Sequence, residues 1–173
     1  MAFDAFMYIP GEKQLQGETQ DDIMAKESAF EIFNFSLGAV NHIDIGSVSK
    51  GGGAGKTSFS GLTITKKTDT ASCGLFSKLC DGGHIDEAHV VLRRSGGGGG
   101  VSGGIFLQFD FKLVMVESIN WAGEDGGDVC HESIDFQYGA MRVTYHTQDA
   151  KGKMSKSGDA MWSRVKNKAD FSV

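Results

Sequence analysis

The longest alternating run in the chain, IFLQFDFKLVMVESI at residues 105–119, leaves little choice of local structure. Ile105, Leu107, Phe109, Phe111, Leu113 and Met115 share one parity, and Gln108, Asp110 and Lys112 share the other. Side chains alternate across a strand with a period of two, so the run predicts a long strand with one apolar and one wet face. Shorter runs repeat the theme. Residues 2–9 alternate weakly, with Phe6 and Tyr8 on one parity and Phe3, Met7 and Ile9 on the other. The stretch AFEIFNFSLG, 29–38, sets Phe33, Phe35 and Leu37 against Asn34 and Ser36, as in a half-buried strand. SFSGLTIT, 58–65, and residues 85–94 also read as strands, and HESIDFQY (131–138) and MRVTYHT (141–147) read as a hairpin around Gly139.

One segment has helical periodicity instead. Ala71, Leu75 and Leu79 recur every fourth residue, and Cys73, Phe76 and Cys80 form a second stripe beside them. Asp69 or Thr70 can cap the start, and Gly82 and Gly83 stop the end. Both stripes are expected to face the sheet, which would bury the thiols. Seven or eight strands, one helix, short connections and no βαβ rhythm predict a mainly β fold: an antiparallel β-barrel with one flanking α-helix, in which residues 1–173 form a single domain. The chain has 25 glycines against one proline, and glycine is normally about 7% of residues. Many of them fall in extended Gly-rich loops, GSVSKGGGAGK at 46–56 and Gly96 to Gly100. Residues 10–28 read as a polar loop. The tail from Lys151 is polar until Met161 and Trp162, and Trp162 is expected to pack on its own barrel.

Several functions are disfavoured. A net charge of −5 with scattered basic residues argues against nucleic acid as a partner. The start, MAFDAFMYIPGEKQL, has neither a basic region nor a long apolar core, so no signal peptide is expected. No apolar run approaches the ~20 residues of a membrane span, so membrane insertion is not expected. Synthesis in the cytoplasm follows. Three cysteines, Cys73, Cys80 and Cys130, do not make a disulfide framework. GGGAGKT, 51–57, imitates a phosphate-binding loop, but the pattern requires glycine where Lys50 stands, and a strand-like segment follows where a helix is needed. The cysteines with His84, His89 and His131 match no common zinc spacing. Cys130 and His131 are adjacent on a strand and point to opposite faces, so they make no dyad. The expectation is no catalytic residue, no metal and no cofactor.

MAFDAFMYI, then FNFSLG, GSVSKGGGAGK, SFSGLTITKKTD, the helix after Thr68-Asp69 and the closing GEDGGD…ESIDFQYGAMRVTYHTQDAKGK together resemble the haemolysin-coregulated protein (Hcp) family. The chain departs from that pattern at residues 92–104 and after Asp149. The resemblance implies a structural tube subunit of the type VI secretion system, not an enzyme. Homohexameric rings would stack into a tube inside a contractile sheath, tipped by a spike protein, with small effectors in the lumen. The protein would then leave the cell through that system without a signal peptide. The loop Gly46, Ser47, Val48, Ser49, Lys50, Gly51, Gly52, Gly53, Ala54, Gly55 and Lys56 corresponds to the family segment that reaches the adjacent ring. Lys50 and Lys56 are expected to meet acidic groups there. Asn34, Ser36 and Ser118 are the candidates for the lumen wall. Some relatives carry a fused effector domain, and the chain after the barrel is expected to be too short for one. The alternative is a monomeric β-barrel module that binds a ligand through its loops.

Overall fold

The computed structural model describes residues 3–44, 53–94, 103–123, 125, 127–149 and 152–173. Alternation becomes strand as expected. The elements are β1 (Phe3–Tyr8), β2 (Phe30–Ile32), β3 (Asn34–Ser36), β4 (Ala39–Val40), β5 (Ile43–Asp44), β6 (Gly53–Ala54), β7 (Ser58–Phe59), β8 (Leu62–Lys67), α1 (Ser72–Asp81), β9 (His84–Arg94), β10 (Ile105–Ala122), β11 (His131–Gln148) and β12 (Met154–Ser163). Eight strands form one antiparallel sheet in the order β2-β1-β9-β10-β11-β8-β3, with β12 also on β11. β2 and β3 are separated only by Phe33, whose N–H donates to the Thr65 carbonyl at 2.8 Å. The chain thus crosses from the free edge of β1 to the free edge of β8 in one residue, and the sheet becomes a nearly closed barrel with α1 beside it. No helix among the described residues is long and apolar enough to cross a membrane.

That crossing corrects the single strand expected over 29–38. Phe30 and Ile32 point into the core, the bend at Phe33 reverses parity, and Phe35 packs inward while Phe33 is 52% exposed. A hairpin at Gly139 is also wrong. β11 runs unbroken through Gly139 and pairs with β10 over both halves, with β8 along 131–136 and with β12 along 140–148. Gly139 marks a crease. It lies opposite Leu113, which takes a left-handed φ of 51°. A Cβ on Gly139 would stand 3.1 Å from that of Leu113 and 2.9 Å from Val173. At this level the buried parity switches in three strands together. Phe111 gives way to Val114 and Val116 in β10, Ile85 to Ala88 and Val90 in β9, and Tyr138 to Met141 in β11. Leu113 and Met115, expected in the core, are therefore exposed. The tail strand β12 carries SKSGDA, too polar to announce itself, and is held by its ladder to β11.

Below the crease the inner rows run straight across strands. Phe35, Ile64, Ile134 and Ile119 are register partners, as are Leu62, Phe136 and Val116. The next inward row is Lys66, Glu132 and Trp121. Lys66 and Glu132 are fully buried and meet at 2.7 Å. Lys66 also meets Asp69 at 2.7 Å. Glu132 accepts from the Ser72 hydroxyl at 2.8 Å and the Trp121 indole N–H at 2.8 Å. Asp69 accepts the Ala71 N–H at 2.9 Å, and the helix ends where Gly82 takes a φ of 66°. Of the two expected apolar stripes, the Ala71–Leu75–Leu79 stripe is the one that meets the core. Cys73 and Cys80 are exposed, against expectation, because the helix touches the barrel along one line and not over a broad face.

Above the crease, the outer face of β1, β9 and β10 is roofed by the 10–29 segment, which contains two 3-10 turns, Lys13–Leu15 and Met24–Glu27. Phe6, Met24, Ala29 and Val91 make a second small core there. Tyr8, His89, Asp110 and Arg142 form one cross-strand row beneath this roof. Asp110, expected on a wet face, is 1% exposed. Burial opposes its charge, but hydrogen bonds from His89, Gln108 and Arg142 outweigh that and bring the carboxyl down to about 2. Burial and the neighbouring Glu27, Asp110 and Glu87 carboxylates push the Tyr8 phenol up to about 12.

Two outcomes are expected. Glu132→Ala leaves the Lys66 ammonium with Asp69 as its one carboxylate partner among the described residues and should cost about 3 kcal/mol in urea unfolding, while Lys66→Met with Glu132→Leu should cost clearly less. Asp110 is lower in the fold than its ordinary 3.8, so its stabilisation is complete above that value and fades as pH falls toward about 2. The urea midpoint of Asp110→Asn should therefore vary less between pH 5 and 2 than that of the parent.

Candidate functional site

Two features carry the expected functional residues: a polar wall and an arm. Directly opposed residues in an antiparallel ladder lie on the same face, and residues two apart on one strand do as well. Ser36 pairs with Thr63, Thr63 with Asp135, and Asp135 with Ser118. The neighbouring row is Asn34, Thr65, Ser133 and Asn120. The fold thus brings Asn34, Ser36 and Ser118, distant in sequence, onto one outward face of β3, β8, β11 and β10. Every side chain in the two rows is polar and none is longer than Asn or Asp. Asp135 is the one acid among them. It accepts from Ser118 Oγ at 2.5 Å and Thr63 Oγ1 at 2.6 Å. These two hydrogen bonds hold its carboxyl below the usual range, against a smaller opposing effect of burial. The wall therefore carries a fixed negative charge at neutral pH.

The signal for the missed members was present. Thr63 and Thr65 alternate with Leu62 and Ile64, and Ser133 and Asp135 alternate with Ile134 and Phe136. Only the register that sets Thr63 beside Asp135 was out of reach.

The arm comes from residues 38–60. Ala39 and Val40 pair with Phe59 and Ser58, and Ile43 and Asp44 pair with Ala54 and Gly53. The Gly55 N–H donates to the His42 carbonyl at 3.1 Å. Of the expected stacking loop, Gly53 and Ala54 are thus in a strand, Gly55 and Lys56 follow it, and Gly46, Ser47, Val48, Ser49, Lys50, Gly51 and Gly52 lie outside the described residues, as do Gly96 to Gly100. Val40 is 57% and Ile43 62% exposed on this two-stranded ribbon. β7 follows Lys56 where a phosphate loop would need a helix.

No group of three or more His, Cys, Asp or Glu among the described residues could hold a metal ion. The Cys130 thiol turns to the Ala122 carbonyl at 3.4 Å, while the His131 ring meets Phe33 edge-on, with centroids 6.0 Å apart.

Comparison with known proteins agrees with this architecture. Residues 6–145 match the family model described as type VI secretion system effector, Hcp. Over 97 residues the chain is 29% identical to protein hcp1 of Pseudomonas aeruginosa, a match covering 56% of this chain and 58% of that protein's length. A solved structure of a type six secretion system protein superposes with a TM-score of 0.86 at 31% identity, covering 98% of this chain and 100% of the other. Hcp1 from Salmonella typhimurium shares the fold, with a TM-score of 0.73 at 22% identity over 98% of this chain and 100% of that one. The chain belongs to the Hcp family of type VI secretion system proteins, a family of structural components and not of enzymes.

Proposed function

We propose that this protein is the tube subunit of a type VI secretion system, folding over 1–173 as one barrel domain, forming homohexameric rings that stack and carrying small effectors in the lumen. The observation that carries the reading is the pair of polar rows, Ser36–Thr63–Asp135–Ser118 and Asn34–Thr65–Ser133–Asn120. A wall of short polar side chains over a largely apolar inner face suits a water-filled channel. It binds guests weakly enough to release them. The arm supports stacking. An isolated two-stranded ribbon is marginal in water, and exposed Val40 and Ile43 favour a neighbour. Ring closure needs a heterologous contact in which two different patches meet head to tail. The partners in this reading are further copies of the chain, the sheath, the spike and the effectors. Assembly is cytoplasmic and export follows through the same machine.

Light scattering across a concentration series should give the mass of six subunits. A monomer at every concentration would put a monomeric ligand-binding barrel in its place. Ser36→Trp and Ser118→Trp should keep the ring mass and lower the amount of small passenger protein recovered from the medium. Unchanged passenger export in both variants would remove the wall assignment.

A further inference from the structure

A cavity of about 620 Å³ opens at the crease, between the base of the arm and the end of β12. That size lies within the range of about 300–1,000 Å³ usual for binding pockets. Its apolar lining includes Phe59, Leu113, Met115 and Trp162. Leu113 and Met115 are there because the parity switch at Leu113 turned them out of the core. Two cations also line it, Lys56 and Arg164. The Arg164 guanidinium lies 4.8 Å from the Tyr138 ring centroid and donates to Gln137 Oε1 at 3.2 Å and the Tyr138 carbonyl at 3.1 Å. Among the described residues no carboxylate pairs with either cation. An apolar pocket with two unneutralised cations fits an aromatic or aliphatic side chain next to a carboxylate.

This chain displays that chemistry elsewhere. At the corner between β10 and β11, Trp121 is 45% and Val129 38% exposed, and Asp125 and Asp128 are exposed beside them. Neither aspartate pairs with a cation among the described residues. Phe76 of α1 leans edge-on against Trp121, with centroids 5.6 Å apart, and fixes the indole. The corner cannot fill the pocket of its own copy. From Met115 to Trp121 along β10 is about 20 Å at ~3.3 Å per residue, and the strand is held on both sides near the pocket and by β11 up to Ala122. Two complementary patches kept apart on one rigid ladder are satisfied only between copies, and a contact of two unlike patches propagates into a ring or a stack.

We propose that the Lys56–Arg164 pocket receives the Trp121–Val129 corner of a second copy, with Asp125 and Asp128 meeting the two cations and the exposed part of the Trp121 ring, held in place by Glu132 and Phe76, packing against the apolar lining. This rests on the ring-and-stack reading and names the surfaces that make one of its contacts. It also accounts for the Lys56 partner expected from the sequence.

Sedimentation velocity at low salt, over a concentration series, tests it with charge reversals. The variants are Arg164→Glu, Lys56→Glu, Asp125→Lys/Asp128→Lys, and the latter pair combined with either cation reversal. Thermal melts establish that each is folded. Lys56 is exposed, so Lys56→Glu carries the test if Arg164→Glu, which also loses its bonds to Gln137 and Tyr138, does not fold. Reversal on one side should raise the concentration for half-assembly at least about tenfold, and reversal on both sides should recover most of it. If wild type assembles and the single reversals assemble equally well, or if the combined reversal recovers nothing, this contact is overturned and the ring reading stands. If wild type is monomeric throughout, both fall.

Discussion

The carboxylate of Glu132 ties three strands of the barrel to the start of the helix. It is buried, and it holds Lys66 of β8, Ser72 at the start of α1 and Trp121 of β10 from its own place on β11. Lys66 in turn reaches Asp69, which turns the chain into the helix. Desolvating two charges is expensive, and such a pair holds only where further hydrogen bonds satisfy both ions. That requirement fixes β8, β10, β11 and α1 at once. A slip of β11 by one residue would send Glu132 to the polar wall and take its carboxylate away from Lys66 in the core. The alternation that places Ser133 and Asp135 outward is the same alternation that places Glu132 inward.

The crease divides the barrel into two regimes. Below it the inner rows are apolar but for the Lys66–Glu132 pair, and the outer rows are short and polar. Above it the outer face of β1, β9 and β10 is covered by the 10–29 roof, and Asp110 becomes a buried anion held by His89, Gln108 and Arg142. A positive φ at a leucine is unfavourable by roughly 1–2 kcal/mol, and the gain is a simultaneous change of face in three strands. The outward display of Leu113 and Met115, and the cavity they line, follow from it.

Much of this was legible in advance. The parity of residues 105–111 and 131–138, the helix after Asp69 and the polar partners of Phe35 predict strands, a helix and a polar outer face. The two failures of strand parity have one cause. Period-two reading assumes that a strand keeps its faces, and Phe33 and Leu113 break that assumption without any marker in composition. Gly139 looks like a turn because glycine often is one, yet here it makes room for Leu113 and Val173. β12 escaped because its pairing with β11 supplies what its side chains lack. The exposure of Cys73 and Cys80 reflects how narrow a stripe a single helix presents to a curved surface. Cross-strand register, which collects Ser36, Thr63, Asp135 and Ser118 into one row, is a long-range property that local pattern does not encode.

The unbroken path of β11 has a mechanical consequence. β10 lines one side of it for nearly its full length, while β8 and β12 divide the other. Antiparallel hydrogen bonds lie across the strands. A load applied along β11 therefore shears the whole set of bonds together and does not peel them one after another. Were the chain to turn back at Gly139, the same load would meet two short hairpins that open from their ends. The tensile strength of the sheet along β11 thus rests on a residue that does not make a turn.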